Sequence, residues 1–166
     1  MEMSEEQKKE LEQARAKEHA EVVERRTRER QRGACGDRYV GASLGKMRMS
    51  PEHATKVAEF LDKKQNFLVY CGSPGIGKTH LCAALIEYAE KRFNNYRYYR
   101  EYDLLKKVRD SIESTKGDYI ETLKYLLDDD FIMLDDIGSC GYNEWREEIL
   151  FAALDFRYSL GLPTII

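Results

Sequence analysis

The segment that most restricts the fold of this chain is the glycine-rich run at residues 72–79, with the sequence GSPGIGKT. It matches the pattern GxxxxGK[ST], in which a loop of backbone N–H groups surrounds phosphate oxygens. An apolar run at residues 67–71 precedes it and is typical of a strand buried on both faces of a parallel sheet. Helical spacing of apolar residues follows over residues 78–92. Strand, loop and helix in this order favour phosphate binding over a purely structural glycine loop.

The pattern predicts a role for each residue of this loop. The N–H groups of residues 75–79 should line an anion site, and the next helix should direct the positive end of its dipole at the same phosphates. Lys78 should bridge the β- and γ-phosphates as a catalytic cation, and the Thr79 hydroxyl should bind Mg²⁺. His80 either approaches the nucleotide or packs against the fold. The predicted nucleotide contacts are Gly72, Ser73, Pro74, Gly75, Ile76, Gly77, Lys78, Thr79 and His80.

Two aspartates follow a second short apolar run, at residues 131–134. Asp135 should lie at the exposed end of a buried strand, where a carboxylate can hold Mg²⁺ through its water shell. Asp136 can orient or deprotonate the water that attacks the γ-phosphate. Its side chain is one methylene shorter than glutamate, so it should either need a shifted water molecule or leave hydrolysis slow. The alternative is that the pair only marks a turn.

Apolar runs alternate with helical spacing over the rest of the chain, which predicts an α/β sandwich with a mostly parallel sheet. In such a fold the ligand crevice lies at the carboxyl ends of the strands, where both motifs fall. The other predicted elements are helices over residues 51–63, 103–114, 117–127 and 143–159, and strands over residues 96–99 and 163–166.

Residues 1–32 are dominated by charge, with nine Lys or Arg and nine Asp or Glu. They predict a helix outside the core, stabilised by pairs of opposite charge one turn apart. It is either a self-stabilised solvated helix or an arm that docks a partner protein. Glycines then indicate an irregular linker over residues 33–50, so the compact domain should span residues 51–166.

Composition restricts the location and the partners of the chain. The net charge of −3 provides no overall field that would attract nucleic acid. Lys106, Lys107 and Arg109 either contact single-stranded DNA or belong to a mixed, solvated helix face. No apolar run approaches the roughly 20 residues of a membrane span, and the cysteines lack zinc or disulfide spacing, which indicates reduced thiols in a cytoplasmic protein. The four cysteines are Cys35, Cys71, Cys82 and Cys140.

Four segments together resemble the DnaC/IstB-like AAA+ ATPases. They are residues 72–81 (GSPGIGKTHL), residues 131–138 (FIMLDDIG), residues 37–44 (DRYVGASL) and the stretch from Trp145 to Ile166. The likeness covers residues 35–166. It implies an AAA+ core, binding of ATP with Mg²⁺, self-association on single-stranded DNA, and an N-terminal arm that grips a replicative helicase.

The resemblance also implies roles for individual residues. Lys78 and Thr79 match the phosphate-loop pair of the family, and Asp135 matches its magnesium aspartate. Asp136 matches the water-activating acid. The leading hypothesis is therefore an ATPase of the helicase-loader type that acts in DNA replication. A transposition helper of the same family and a non-hydrolysing, nucleotide-gated interaction module are the alternatives.

The end of the chain departs from the pattern of that family. The sensor residue, fifth strand, arginine finger and helical lid of such domains do not fit after Ile166, so we expect a domain that is incomplete at its C-terminal end. A chain of this length should bind nucleotide better than it hydrolyses it. Arg146 and Arg157 lie on the last predicted helix and either reach a neighbour's nucleotide or form salt bridges at the surface.

Overall fold

The computed structural model describes residues 4–63, 65–115, 119–141 and 143–166. These residues form one parallel sheet of four strands in the order β1-β4-β3-β2, with helices on both faces. The predicted α/β sandwich is therefore confirmed. The elements are α1 (Glu5–Cys35), α2 (Pro51–Leu61), β1 (Phe67–Leu68), α3 (Lys78–Arg92), β2 (Tyr96–Arg100), α4 (Glu101–Thr115), α5 (Tyr119–Leu127), β3 (Phe131–Asp135), α6 (Glu144–Ser159) and β4 (Thr164–Ile165), with short 3₁₀ helices at Asp37–Tyr39 and Leu44–Lys46.

Strand β3 occupies the middle of the sheet, and its alternating side chains separate the two halves of the core. Phe131 and Met133 pack on the side of α3, together with α2 and the end of α1. Ile132 and Leu134 pack on the opposite side, against α4, α5 and α6. All residues of β3 are buried, which explains why its sequence is a continuous apolar run rather than an alternating one.

The first strand is shorter than predicted. Only Phe67–Leu68 is regular strand, although Tyr70 still donates a backbone hydrogen bond to Ile166 O at 2.7 Å. Val69 is 63% exposed, so the expectation that residues 67–71 are buried on both faces is wrong there. Within the described ranges β1 pairs with β4 alone, so it is an edge strand of the sheet.

Helix α1 departs most from its prediction. Ser4 and Gln7 form a capping box at its start, and most side chains up to Arg26 are exposed. Thr27, Gln31 and Cys35, spaced by four residues, are buried on the face towards α3. The helix thus enters the core in its last turns and passes the predicted boundary at residue 32.

Gln31 fixes this end of α1 to the domain. Its amide Nε2 donates to Ala42 O at 2.8 Å and to Ala83 O at 2.9 Å, while its Oε1 accepts from Gly41 N at 2.7 Å. These hydrogen bonds therefore fix part of the predicted linker against α1, and Ala42 within the linker is buried. The division into an arm, a linker and a core stays a prediction.

The remaining helices lie close to their predicted positions. Helix α2 ends at Leu61, two residues before the predicted end, and α4 begins at Glu101, two residues before the predicted start. The predicted start of α5 at residue 117 lies outside the described residues. In the described part of the chain, no helix is long and apolar enough to cross a membrane.

Candidate functional site

The glycine-rich loop connects the β1 edge of the sheet to α3. Gly77 caps α3 with φ 104° and ψ 17°, in the left-handed region where a side chain is disfavoured. A Cβ on Gly72 would lie 2.9 Å from Ile76 Cδ1. Glycine at these two positions therefore lets the loop close tightly and begin the helix without a clash.

The loop leaves a set of backbone donors free. Within the described ranges, no protein oxygen accepts a hydrogen bond from the N–H groups of Gly75, Gly77, Lys78 or Thr79. They lie at or next to the N-terminus of the 15-residue helix α3, where the helix dipole adds positive potential. Free donors at a positive helix end are the chemistry that phosphate oxygens require. The loop therefore fits the phosphates of a nucleotide.

Lys78 places a cation over this loop. Its Nζ donates to Gly72 O at 2.7 Å and to Ser73 O at 3.2 Å, so the side chain folds back across the loop. Lys78 also lines a cleft of about 430 Å³, together with Gly72, Pro74, Asp135 and Asp136. The carboxyl edge of the sheet thus brings the phosphate-loop lysine and both predicted aspartates into one cleft.

Asp135 is the last residue of β3 and is only 5% exposed. Its Oδ2 accepts a hydrogen bond from Tyr98 Oη at 2.8 Å, and its Oδ1 accepts one from Asp136 N at 2.9 Å. Each carboxylate oxygen retains a further lone pair, so the group fits a Mg²⁺ ion or its water ligands. Burial raises the pKa of Tyr98, so its hydroxyl is a neutral donor at physiological pH.

Asp136 starts the loop after β3 in an unusual conformation. Its φ of 61° is in the left-handed region, which aspartate tolerates better than most residues that carry a side chain. Its carbonyl accepts from Ser139 N at 3.2 Å, and its side chain is exposed at the cleft. The carboxylate is therefore open to solvent at the cleft.

A buried ion pair supports the same loop. Glu101, at the start of α4, is fully buried and forms a salt bridge with Arg146 of α6. Its Oε2 accepts from Gly138 N at 2.6 Å. Arg146 also contacts Glu147 at 2.7 Å. Arg146 is therefore salt-bridged, as one of the two expectations held, but it lies inside the fold rather than at the surface.

Arg157 is also internal. It is fully buried and donates to Thr164 Oγ1 at 3.0 Å, to Leu127 O at 2.8 Å and to Pro163 O at 2.6 Å. Burial lowers its pKa to about 10, against the opposing effect of Asp129. It joins α6 to the start of β4 and the end of α5, so it is neither a surface residue nor free to reach a neighbour's nucleotide.

The remaining candidates have local partners. The His80 ring packs edge-on against Tyr39 with ring centroids 6.0 Å apart, which is the packing role considered above. Lys106 and Lys107 line a surface depression of about 370 Å³, and acidic side chains of the same helix line it too. The Arg109 guanidinium lies 5.2 Å from the centroid of the Trp145 ring. This part of α4 is a face of mixed charge.

Sequence reasoning missed Tyr98, Glu101 and Gln31. Tyr98 belongs to an aromatic run that indicates a strand, and the alternation along that strand does not reveal which tyrosine reaches an acid. Glu101 stands in a charged segment where most side chains are solvated. Only the contacts across the fold distinguish these residues from their neighbours.

The fold and the site define the class of this protein. A parallel sheet with helices on both faces carries a phosphate-binding loop after β1 and an acidic pair after β3, as in AAA+ P-loop ATP-binding proteins. Residues 49–165 match the family described as IstB-like ATP binding protein. The chain belongs to that family, which confirms the resemblance seen in its motifs.

Similar proteins come from replication and from transposition. The chain is 28% identical over 121 residues to the chromosomal replication initiator protein DnaA of Synechocystis sp., covering 72% of this chain and 27% of that protein. It is 31% identical over 105 residues to an insertion sequence IS232 protein of Bacillus thuringiensis subsp. berliner, whose name describes it as ATP-binding, covering 60% of this chain and 38% of that protein. The chain thus spans well under half the length of these relatives.

Solved structures agree with this fold. The crystal structure of the DnaC helicase loader superposes with a TM-score of 0.62 at 27% identity, covering 78% of this chain and 77% of that one. The replication initiator DnaA bound to AMPPCP and single-stranded DNA superposes with a TM-score of 0.64 at 24% identity, covering 75% of this chain and 40% of that one. The second likeness concerns the fold alone.

Proposed function

We propose that this chain is a Mg²⁺-dependent ATPase of the helicase-loader type that acts in DNA replication. The observation that carries the proposal is the cleft that Lys78, Asp135 and Asp136 line together, beside the free N–H groups at the start of α3. Free donors and a cation suit the triphosphate, and carboxylates suit the metal and the attacking water.

Each side chain then has a distinct task. The loop amides and Lys78 bind the phosphate oxygens and stabilise the charge that develops on them in the transition state. Asp135 and the Thr79 hydroxyl hold Mg²⁺, which neutralises phosphate charge when bound. Asp136 orients the attacking water and accepts its proton. Aspartate is one methylene shorter than glutamate, so this base suits slow turnover.

Similarity to the DnaC helicase loader supports a role in loading a helicase, because the likeness covers most of both chains. In this proposal the exposed part of α1 docks the helicase, and the chain associates with itself and with single-stranded DNA. Gln31 ties that helix to α3, so a partner bound to α1 has a rigid connection to the nucleotide site.

A transposition helper is the second candidate, favoured by the family match and by the similarity to the IS232 protein. A pull-down with tagged protein separates the two. Recovery of a hexameric helicase supports the loader, and recovery of a transposase in its place contradicts it. A third candidate is a nucleotide-gated interaction module that does not hydrolyse ATP. A measurement of ATP turnover distinguishes it from the first two.

The primary test compares ATP binding and turnover in the wild type and in Lys78→Ala, with and without Mg²⁺ and single-stranded DNA. Lys91→Ala is the matched control, because Lys91 lies on the same helix, away from the loop, and forms an i,i+4 ion pair with Glu87 at 2.6 Å. We expect Lys78→Ala alone to lose binding and turnover. Binding without turnover in the wild type would select the nucleotide-gated module, and no binding would reject the whole proposal.

A further inference from the structure

Tyr98 lies one strand away from the proposed magnesium site and makes a direct contact with it. Tyr98 is the third residue of β2, and Met133 is its partner on β3. Asp135 follows Met133 by two residues, so its side chain is on the same face of the sheet as Tyr98. The Tyr98 hydroxyl spans this offset and donates to Asp135 Oδ2 at 2.8 Å.

The contact completes the support of a buried carboxylate. Asp135 is 5% exposed, so bulk water cannot readily replace a lost donor. Its two oxygens each accept one protein hydrogen bond, from Tyr98 Oη and from Asp136 N. Rotation of the carboxylate about its own axis would break both bonds. Together the two donors therefore fix the plane of the group and the direction of its remaining lone pairs.

We propose that Tyr98 is a positioning residue that holds the Asp135 carboxylate in the orientation required for the metal–nucleotide complex. This inference rests on the proposed function, because Asp135 must bind Mg²⁺ for its orientation to matter. Loss of a residue that hydrogen-bonds to a metal ligand commonly lowers the metal affinity by about 10- to 100-fold. If Tyr98 has this role, its loss should weaken the effect of Mg²⁺ on nucleotide binding. Binding of the phosphates by the loop amides and Lys78 should remain.

Tyr99 supplies a matched control in the next position. Its hydroxyl donates to Leu126 O at 3.3 Å, and its side chain packs in the opposite half of the core. Tyr98→Phe and Tyr99→Phe thus each remove one hydroxyl from the same strand and keep the ring. Only the first change removes a donor to Asp135.

The experiment measures binding of a fluorescent ATP analogue as Mg²⁺ is titrated, and again in EDTA. We expect Tyr98→Phe to raise the Mg²⁺ concentration at half-maximal effect by about 10-fold. Its affinity for the analogue in EDTA should stay within about twofold of the wild type, because the loop amides are untouched. Tyr99→Phe should match the wild type in both measurements.

The outcomes separate the inference from the function on which it rests. An unchanged Mg²⁺ midpoint in Tyr98→Phe, with a normal wild type and a shifted Asp135→Asn control, overturns the role of Tyr98 alone. An equal loss of affinity in Mg²⁺ and in EDTA also overturns it, because that pattern indicates a general structural defect. If Mg²⁺ does not change the affinity of the wild type for the ATP analogue, both the metal site and the inference are overturned.

Discussion

Glu101 accepts a hydrogen bond from Gly138 N at 2.6 Å, so the junction of β2 and α4 holds the loop that follows β3. This carboxylate is fully buried and pairs with Arg146. The loop also carries Asp136, the proposed base. Removal of either partner would therefore leave a buried charge unpaired and would also disturb the loop that carries Asp136.

The first prediction concerns this pair. Glu101→Gln keeps the shape of the side chain but leaves Arg146, among the residues that the structure describes, with only the exposed Glu147 as an acidic partner. Breaking a buried ion pair on one side should lower the free energy of unfolding by about 3 kcal/mol. Urea denaturation measures the loss. Adding Arg146→Met should recover part of it, because the unpaired charge is then gone, and a single variant as stable as the wild type would contradict the assignment.

The second prediction concerns the anchor of α1. Gln31→Ala leaves two carbonyls and one N–H group, at Ala42, Ala83 and Gly41, without their partner. The free energy of unfolding should fall by about 3 kcal/mol, and proteolysis within α1 should accelerate. Gln13→Ala, on the exposed part of the same helix, is the control and should change neither. Equal behaviour of the two variants would show that α1 does not depend on this contact.

The third prediction compares two glycines. Gly77→Ala forces a side chain into φ 104° and should cost about 1 to 2 kcal/mol of stability, with weaker nucleotide binding. Gly33→Ala lies within α1, where an added Cβ meets no atom within 4 Å, and should stabilise the protein by about 0.5 to 1 kcal/mol. Thermal unfolding and nucleotide titration test both. Similar stability changes at the two positions would argue against a conformational cause.

The fourth prediction isolates the carboxylate of Asp136. Asparagine adopts the left-handed conformation as readily as aspartate, so Asp136→Asn should keep the loop at φ 61°. Nucleotide affinity should stay within about twofold, whereas turnover should fall by about 100-fold or more as the base is lost. Single-turnover assays make the comparison. Unchanged turnover would assign the proton transfer to another group.

The centre of the fold and the position of its acids could be predicted from sequence. Strand β3 is recognisable because a continuous apolar run indicates a strand covered on both sides, and Asp135 follows at its end. The phosphate loop is equally local, since a side chain at Gly72 would clash with Ile76 of the same loop and Gly77 has a left-handed backbone conformation. Such features depend on residues that are neighbours in the sequence.

Features that depend on distant partners were not predictable. Thr27, Gln31 and Cys35 are a polar stripe in a highly charged helix, and nothing in their spacing shows that α3 will cover them. Val69 belongs to the apolar run but lies beyond the regular part of β1 and is exposed, which its residue type does not reveal. Pattern reasoning assigns residues to elements but does not assign their partners.

The last prediction uses cysteine reactivity to report on the cleft. Cys71 is exposed and lines the cleft beside the phosphate loop, whereas Cys35 and Cys82 are buried. Burial raises the pKa of the Cys35 thiol to about 11, so at pH 8 it has almost no reactive thiolate. A thiol reagent should therefore modify Cys71 well before Cys35. Because Cys140 is also partly exposed, the comparison is made in a Cys140→Ser background, where Cys71→Ser should remove the fast phase. ATP with Mg²⁺ should slow the modification of Cys71 by covering the cleft. Mass spectrometry of the modified peptides identifies the sites, and a Cys71 that reacts equally fast with and without nucleotide would place the nucleotide elsewhere.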